Sequence, residues 1–234
     1  MSWTETTHSD AEALAAVLAD ALAQAIRDGL VSRGRAVLAL AGGRTPFPVY
    51  RRLAETPLDW SRVVLLATDE RWVDVEHSAS NSREIVAAFA AARGVRVLPL
   101  VPAGPGPEAN AAFATSIIRP LAEPFDAVLL GMGSDGHFAS LFPGAAELAA
   151  GLQEGGPDDV LVVHPNPLPP EAPFARISLS AARLLRTRRL LLAATGATKR
   201  AALDRAQAGA DPAELPISSL LHNPAARVEI HWSP

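Results

Sequence analysis

Apolar side chains recur at spacings of three and four over residues 10–29, where Leu14, Val17, Leu18, Ala21, Leu22, Ala25 and Ile26 fall on one stripe of a helix. Ser9 or Asp10 supplies a cap at its start and Gly29 a stop at its end. Beyond it the pattern changes to short apolar runs at 36–41, 63–68, 95–100, 126–131, 160–164, 189–195 and 228–231, each of strand length. Most of these runs lack polar alternation, as strands covered on both faces do. Helical patterns at 46–54, 82–93, 108–121 and 198–208 separate several of them. The alternation predicts an α/β protein with a doubly wound, largely parallel sheet and helices on both faces. Ligands of such sheets bind beyond the carboxyl ends of the strands, so the residues just after each run are the candidates for chemistry. The Pro-rich stretches 99–107 and 165–173 read as surface loops, with a lid as one use for them, and not as domain linkers. One domain is expected over residues 1–234.

Composition removes several classes of function. With 21 basic and 25 acidic residues the formal charge is -4, so the chain lacks the cationic excess that nucleic acid or an anionic membrane requires of a partner. Cysteine is absent, which excludes disulfides, thiolate metal sites and a cysteine nucleophile. No stretch approaches the ~20 apolar residues of a membrane span. The first residues do not form a basic head followed by an apolar run, so no signal peptide is expected and the cytoplasm is the expected address. His8, His77, His164, His222 and His231 are scattered without ligand spacing, and no metal site is expected.

Four segments carry candidate chemistry. In AGGRTPFPVYRRL, Gly42 and Gly43 permit a tight turn, Thr45 can cap and Pro46 suits the first helical position, which leaves bare backbone N–H groups at a helix start as an anion site. Arg44 and the Thr45 hydroxyl are further donors; the alternative is a plain strand-to-helix turn. In ATDERWV, three charges follow an apolar strand, and Arg71 can pair with a phosphate while Asp69 serves as base or orienting group; the alternative is a solvated turn. Asn81 downstream reads as the cap of the next helix. In DAVLLGMGSDGHFASLFPG, a strand runs into glycines with Asp135 and His137 in the turn, a position suited to proton transfer near neutral pH. The spacing of Gly131, Gly133 and Gly136 superficially matches a dinucleotide fingerprint, but no acidic residue follows at a next strand end. No G-x-S-x-G elbow exists, so Ser134 and Ser140 are not read as nucleophiles. In LLLAATGATKRAAL, Lys199 sits in the first turn of a helix, where the dipole disfavours a cation unless an anion is bound.

Together AGGRTP, DERWV with SN downstream, GMGSDGHFASLFPG and TGATK resemble the 6-phosphogluconolactonase family over roughly residues 10–232. That family is similar in its Rossmann-like fold to the glucosamine-6-phosphate isomerases, and the residues after His137, Ala139 to Gly144, take the lactonase form, as does Arg71. The resemblance implies hydrolysis of 6-phospho-D-glucono-1,5-lactone to 6-phospho-D-gluconate in the oxidative pentose phosphate pathway, without a cofactor. It implies His137 as general base on water, Asp69 orienting the imidazole or the sugar hydroxyls, and Gly42, Gly43, Arg44, Thr45, Arg71 and Lys199 holding the phosphate. Glu70, Gly133, Asp135 and Gly136 are expected to line the substrate pocket. A small sugar-phosphate lactone is the only partner expected of a monomer or weak homodimer. Ala41 and Arg44 stand where the family usually has serines, Asp74 replaces a common proline, and Phe138 replaces a usual threonine and is expected to narrow or dry the pocket. The competing readings are an amino-sugar phosphate isomerase, with Asp69 as the base on C2, and a non-catalytic sugar-phosphate sensor.

Overall fold

The structure is a computed structural model that describes residues 3–170 and 172–234. Seven strands form a wholly parallel sheet: β1 (Trp3–Thr7), β2 (Ala36–Leu40), β3 (Val63–Ala67), β5 (Arg96–Leu98), β6 (Ala127–Gly131), β9 (Leu190–Thr195) and β10 (Val228–Ser233). Their order in space is β1-β10-β9-β6-β2-β3-β5. The chain builds outward from β2 to β3 and β5, then returns to the other side of β2 with β6, β9 and β10. The sheet's switch point therefore lies between β2 and β6, where two successive connections leave in opposite directions and open a crevice. Every residue of β2 is buried, and β6 and β9 are buried along nearly all their length, as their unbroken apolar runs require.

The helix α1 (Ala11–Arg33) is capped by Asp10, whose Oδ1 accepts from the Ala13 N–H at 2.8 Å. It ends at Gly34, in the left-handed conformation with φ 74°, and not at Gly29. Gly29 has a different reason to be glycine: a Cβ there would lie 2.8 Å from Asp126 Oδ1 and 3.0 Å from the Ala36 Cβ, so its bareness lets α1 approach the sheet. The helices α2 (Phe47–Ala54) and α3 (Asn81–Ala88) lie beside α1 in turn, and α7 (Ala197–Gln207) packs on β9 and on α8 (Ser218–Leu221). Shorter helices are α4 (Ala112–Ile118), α5 (Leu148–Leu152) and α6 (Ala181–Leu185).

Three further strands depart from the sequence reading. β4 (Asp69–Arg71), β8 (Arg176–Leu179) and β7 (Val160–Val163) form a separate antiparallel sheet in the order β4-β8-β7. The run at 160–164 thus belongs to this small sheet and not to the parallel one, because an apolar run reports burial and not the identity of its partner. Asp69, Glu70 and Arg71 are a strand, not a turn, paired with Ser178, Ile177 and Arg176. The Pro-rich segment 99–107 is tied down beside β4 by two bonds, Trp72 Nε1 to the Gly106 carbonyl at 2.7 Å and the Gly104 N–H to Asp74 Oδ2 at 2.8 Å. Asp74 in place of proline thus anchors a loop. Among the described residues, no helix is long and apolar enough to cross a membrane.

Candidate active site

A cavity of about 240 Å³ opens at the carboxyl end of the switch point, and four chain segments meet in it. The first is the loop after β2. Gly42, Gly43, Arg44, Thr45 and Pro46 line the cavity, and Gly43 adopts φ 94°, which a side chain would resist. Ala41 precedes them; its carbonyl accepts from the buried Tyr50 hydroxyl at 2.7 Å, which braces the loop from behind. Burial, and then the Asp69 charge, push the Tyr50 hydroxyl well above its usual pKa, so it remains a donor. Thr45 does not cap α2: the cap position is Pro46, with no side-chain bond, and Thr45 Oγ1 instead lies 3.2 Å from Thr195 Oγ1 at the end of β9. That contact joins the loop to the fourth segment, where Gly196 and the first turn of α7 bring Lys199 to the cavity. Desolvation, and then the neighbouring Arg44 charge, hold the Lys199 ammonium below its ordinary pKa. Two cations that repel each other beside free amides at a helix start form a site that a multiply charged anion stabilises.

The second segment is β4 with the start of α3. Asp69 and Arg71 line the cavity, but Glu70 does not. Strand alternation turns Glu70 away: it is 2 % exposed, and its carboxylate accepts from the N–H groups of Arg71, Asn81 and Ser82 and from the Ser80 hydroxyl. Glu70 therefore serves the N-terminus of α3, a site where backbone donors and the helix dipole favour a carboxylate. Ser80, and not Asn81, is the cap of α3, accepting from the Arg83 N–H. Asp69 Oδ2 accepts from Ser140 Oγ at 2.6 Å and its Oδ1 from Thr68 Oγ1 at 3.1 Å. Arg71 donates to the Ala79 carbonyl at 2.6 Å, which fixes its side chain at the rim. Opposite it in the ladder stands Arg176, 2 % exposed; burial brings it down to about 10, against the charge of Asp69, so it stays protonated and adds positive charge behind Arg71.

The third segment follows β6. Gly131, Met132, Gly133, His137 and Ala139 line the cavity. His137 Nδ1 lies 2.6 Å from Asp135 Oδ1, so the imidazole's carboxylate partner is Asp135 and not Asp69. Desolvation would raise the Asp135 carboxyl, but the hydrogen bond and charge of His137 more than offset it and hold it below its ordinary value. Asp135 sits behind the ring and does not itself line the cavity. Gly133 leaves room for this pair: a Cβ there would come within 2.3 Å of both Asp135 Oδ1 and His137 Nδ1. Gly136 also lies off the cavity, at φ 75° with its bare face against Leu215 and its carbonyl bonded to the Ile217 N–H at 2.9 Å. The Phe142 ring is 4.3 Å from the imidazole, centroid to centroid, and closes its other side. Phe138 neither narrows nor dries the pocket, because it is fully buried in the core and does not line the cavity. Ala139 takes φ 46°, which costs a non-glycine residue about 1 kcal/mol, and the turn it makes brings Ser140 to Asp69.

Neither the place of Asn81 in the cavity nor the bond by which Ser140 fixes Asp69 is legible in the sequence. Both look like ordinary helix-start or loop residues, and only the crossing of α3 and the turn after β6 over β4 gives them these neighbours. Among the described residues, no group of three or more His, Asp or Glu side chains is placed to hold a metal ion.

Comparison with known proteins bears on this arrangement. The family model described as "Glucosamine-6-phosphate isomerases/6-phosphogluconolactonase" matches residues 9–232. A 6-phosphogluconolactonase of Pseudomonas putida is 37% identical over 228 residues, which cover 97% of this chain and 91% of that protein. One of Caulobacter vibrioides is 39% identical over 226 residues, covering 95% and 92%. The crystal structure of a 6-phosphogluconolactonase from Shewanella baltica superposes with a TM-score of 0.89 at 30% identity, covering 99% of this chain and 97% of the other.

Proposed function

The chain belongs to the glucosamine-6-phosphate isomerase/6-phosphogluconolactonase family, and from that premise we propose that it is an enzyme that hydrolyses 6-phospho-D-glucono-1,5-lactone to 6-phospho-D-gluconate. The observation that carries the reading is the cavity itself, in which a polarised histidine and an anion site face each other across the switch point.

The chemistry follows from the donors present. With its Nδ1–H directed at Asp135, a neutral His137 keeps the Nε2 lone pair for a water molecule. Nε2 takes a proton as the water oxygen bonds to C1 of the lactone, and a tetrahedral intermediate forms. Its collapse breaks the bond between C1 and the ring oxygen, which receives the proton back from His137, and the product is the open-chain acid. Asp135 stabilises the imidazolium that exists between the two transfers. The loop of Gly42, Gly43, Arg44 and Thr45, with Arg71 and Lys199, holds the phosphate, so that binding at a remote group positions the reacting carbon. No step calls for a cofactor.

Asp69 has both oxygens engaged by hydroxyl donors, which suits a fixed carboxylate that orients sugar hydroxyls better than a base that shuttles a proton on C2. The test is a coupled lactonase assay run against spontaneous hydrolysis, with glucosamine-6-phosphate as the parallel substrate. Lactone turnover well above background without release of fructose-6-phosphate or ammonia is expected. Isomerase activity, or binding of 6-phosphogluconate with no turnover, overturns the reading in favour of an isomerase or a sensor respectively.

A further inference from the structure

Asn81 opens α3 and is 3 % exposed, yet it lines the cavity. Its backbone N–H is held by Glu70 Oε1 at 2.7 Å, and its side-chain Nδ2 donates to the Asp69 carbonyl at 2.8 Å. Because only the NH₂ end of the amide can donate to a carbonyl, that bond fixes which way the amide faces. Oδ1 is thereby turned from β4 toward the loop after β2. There it accepts no hydrogen bond from any described residue. It occupies the space in which a side chain at Gly42 would begin, since a Cβ there would lie 2.1 Å from Oδ1. Gly42 does not have a positive φ, so its need to be glycine comes from this contact and not from its backbone.

An amide oxygen that opens on a cavity without a protein donor takes its hydrogen bond from water or from a ligand that displaces it. The rest of the cavity makes the kind of donor plain. Gly43, Arg44, Thr45, Arg71 and Lys199 offer N–H, O–H and cationic groups suited to an anion, which leaves Asp69, held by Ser140 and Thr68, and Asn81 Oδ1 to receive hydroxyl donors. Asn81 Oδ1 is a neutral acceptor among donors. On the lactonase reading above, we propose that Asn81 Oδ1 accepts a hydrogen bond from a ring hydroxyl of the sugar lactone, and that Gly42 is bare so that this oxygen stays in place. The pair makes the site select a hydroxylated lactone over its deoxy analogue.

The experiment compares kcat/KM of the unaltered protein and Asn81→Ala on 6-phosphogluconolactone and on its 2-, 3- and 4-deoxy analogues, with inorganic phosphate binding measured alongside. With the hydroxylated lactone Asn81→Ala is expected to lose about tenfold or more, as a polar site does when one partner is removed. With one deoxy analogue the two proteins are expected to agree within about twofold, and phosphate binding is expected to be unchanged. Gly42→Ala is expected to reproduce the loss, and the double variant to be no worse than the poorer single one, since the added methyl has then no amide to displace. An equal loss on all four lactones, an equal loss of phosphate affinity, or additive effects of the two substitutions overturns the proposal and leaves Asn81 as a tie between loop and strand. If the unaltered protein turns over no lactone, the lactonase reading itself fails and this inference falls with it.

Discussion

His137 Nδ1 and Asp135 Oδ1 stand 2.6 Å apart within one turn after β6, so the imidazole and the carboxylate that orients it arrive as a preformed unit on a two-residue spacing. The unit does not depend on the meeting of distant strands, whereas the anion site does. Replacing Asp135 with Asn keeps the shape but removes the charge that, in the proposed mechanism, stabilises the imidazolium. A fall in kcat of about 10- to 100-fold with KM little changed is expected from steady-state kinetics.

Gly133→Ala tests the same unit from the other side. The new Cβ falls within 2.3 Å of both members of the pair, and their side chains can move only by giving up their bond or turning into the cavity. Turnover is expected to fall at least as far as in Asp135→Asn, while the melting temperature changes by only a few degrees because the turn is partly exposed. A circular dichroism melt alongside the assay separates the two effects.

The sheet was legible in the sequence wherever burial on both faces left an unbroken apolar run, as in β2, β3, β6 and β9. β1 was not, because four of its five residues are exposed on an edge strand and backbone pairing with β10 alone makes it a strand. The candidate site was legible at His137 and in the loop after β2, where glycines and chemistry share a short segment. From sequence, Asp69 is expected as base or orienting group and Glu70 as pocket lining; strand alternation, visible only once β4 is known to be a strand, keeps Asp69 at the cavity and sends Glu70 to α3. The same holds for His8 and His231, which are far apart in sequence yet have stacked rings with His8 Nε2 3.0 Å from His231 Nδ1.

That histidine pair gives the protein an acid limit apart from its activity. Burial first, and then the His8 charge, lower His231 to about 4 from 6.5. The unfolded chain therefore binds more protons than the folded one between those values, and stability is full above about 6.5 and lost as pH falls toward 4. The loss is on the order of 3 kcal/mol. Urea unfolding between pH 7 and pH 4.5 checks it, and His231→Asn is expected to flatten the slope.

The proposed phosphate site is expected to carry its own pH dependence at the opposite end. Lys199 loses its proton at a lower pH than an ordinary lysine, because desolvation and Arg44 disfavour its charged form. Inhibition by 6-phosphogluconate is expected to weaken as pH rises through that range, and Lys199→Arg, which stays charged, is expected to remove the trend. At neutral pH, Lys199→Ala and Arg71→Ala are each expected to raise KM for the phosphorylated lactone several-fold or more and to matter much less for gluconolactone. Equal effects on both lactones contradict the assignment of the phosphate site.

The central claim is that His137 moves the proton in lactone hydrolysis, and the coupled lactonase assay of His137→Ala, corrected for spontaneous hydrolysis, tests it most directly. The expected result is a fall in kcat of ~10²–10⁴ with KM little changed, as for loss of a positioned acid–base group. Turnover close to that of the unaltered protein contradicts it.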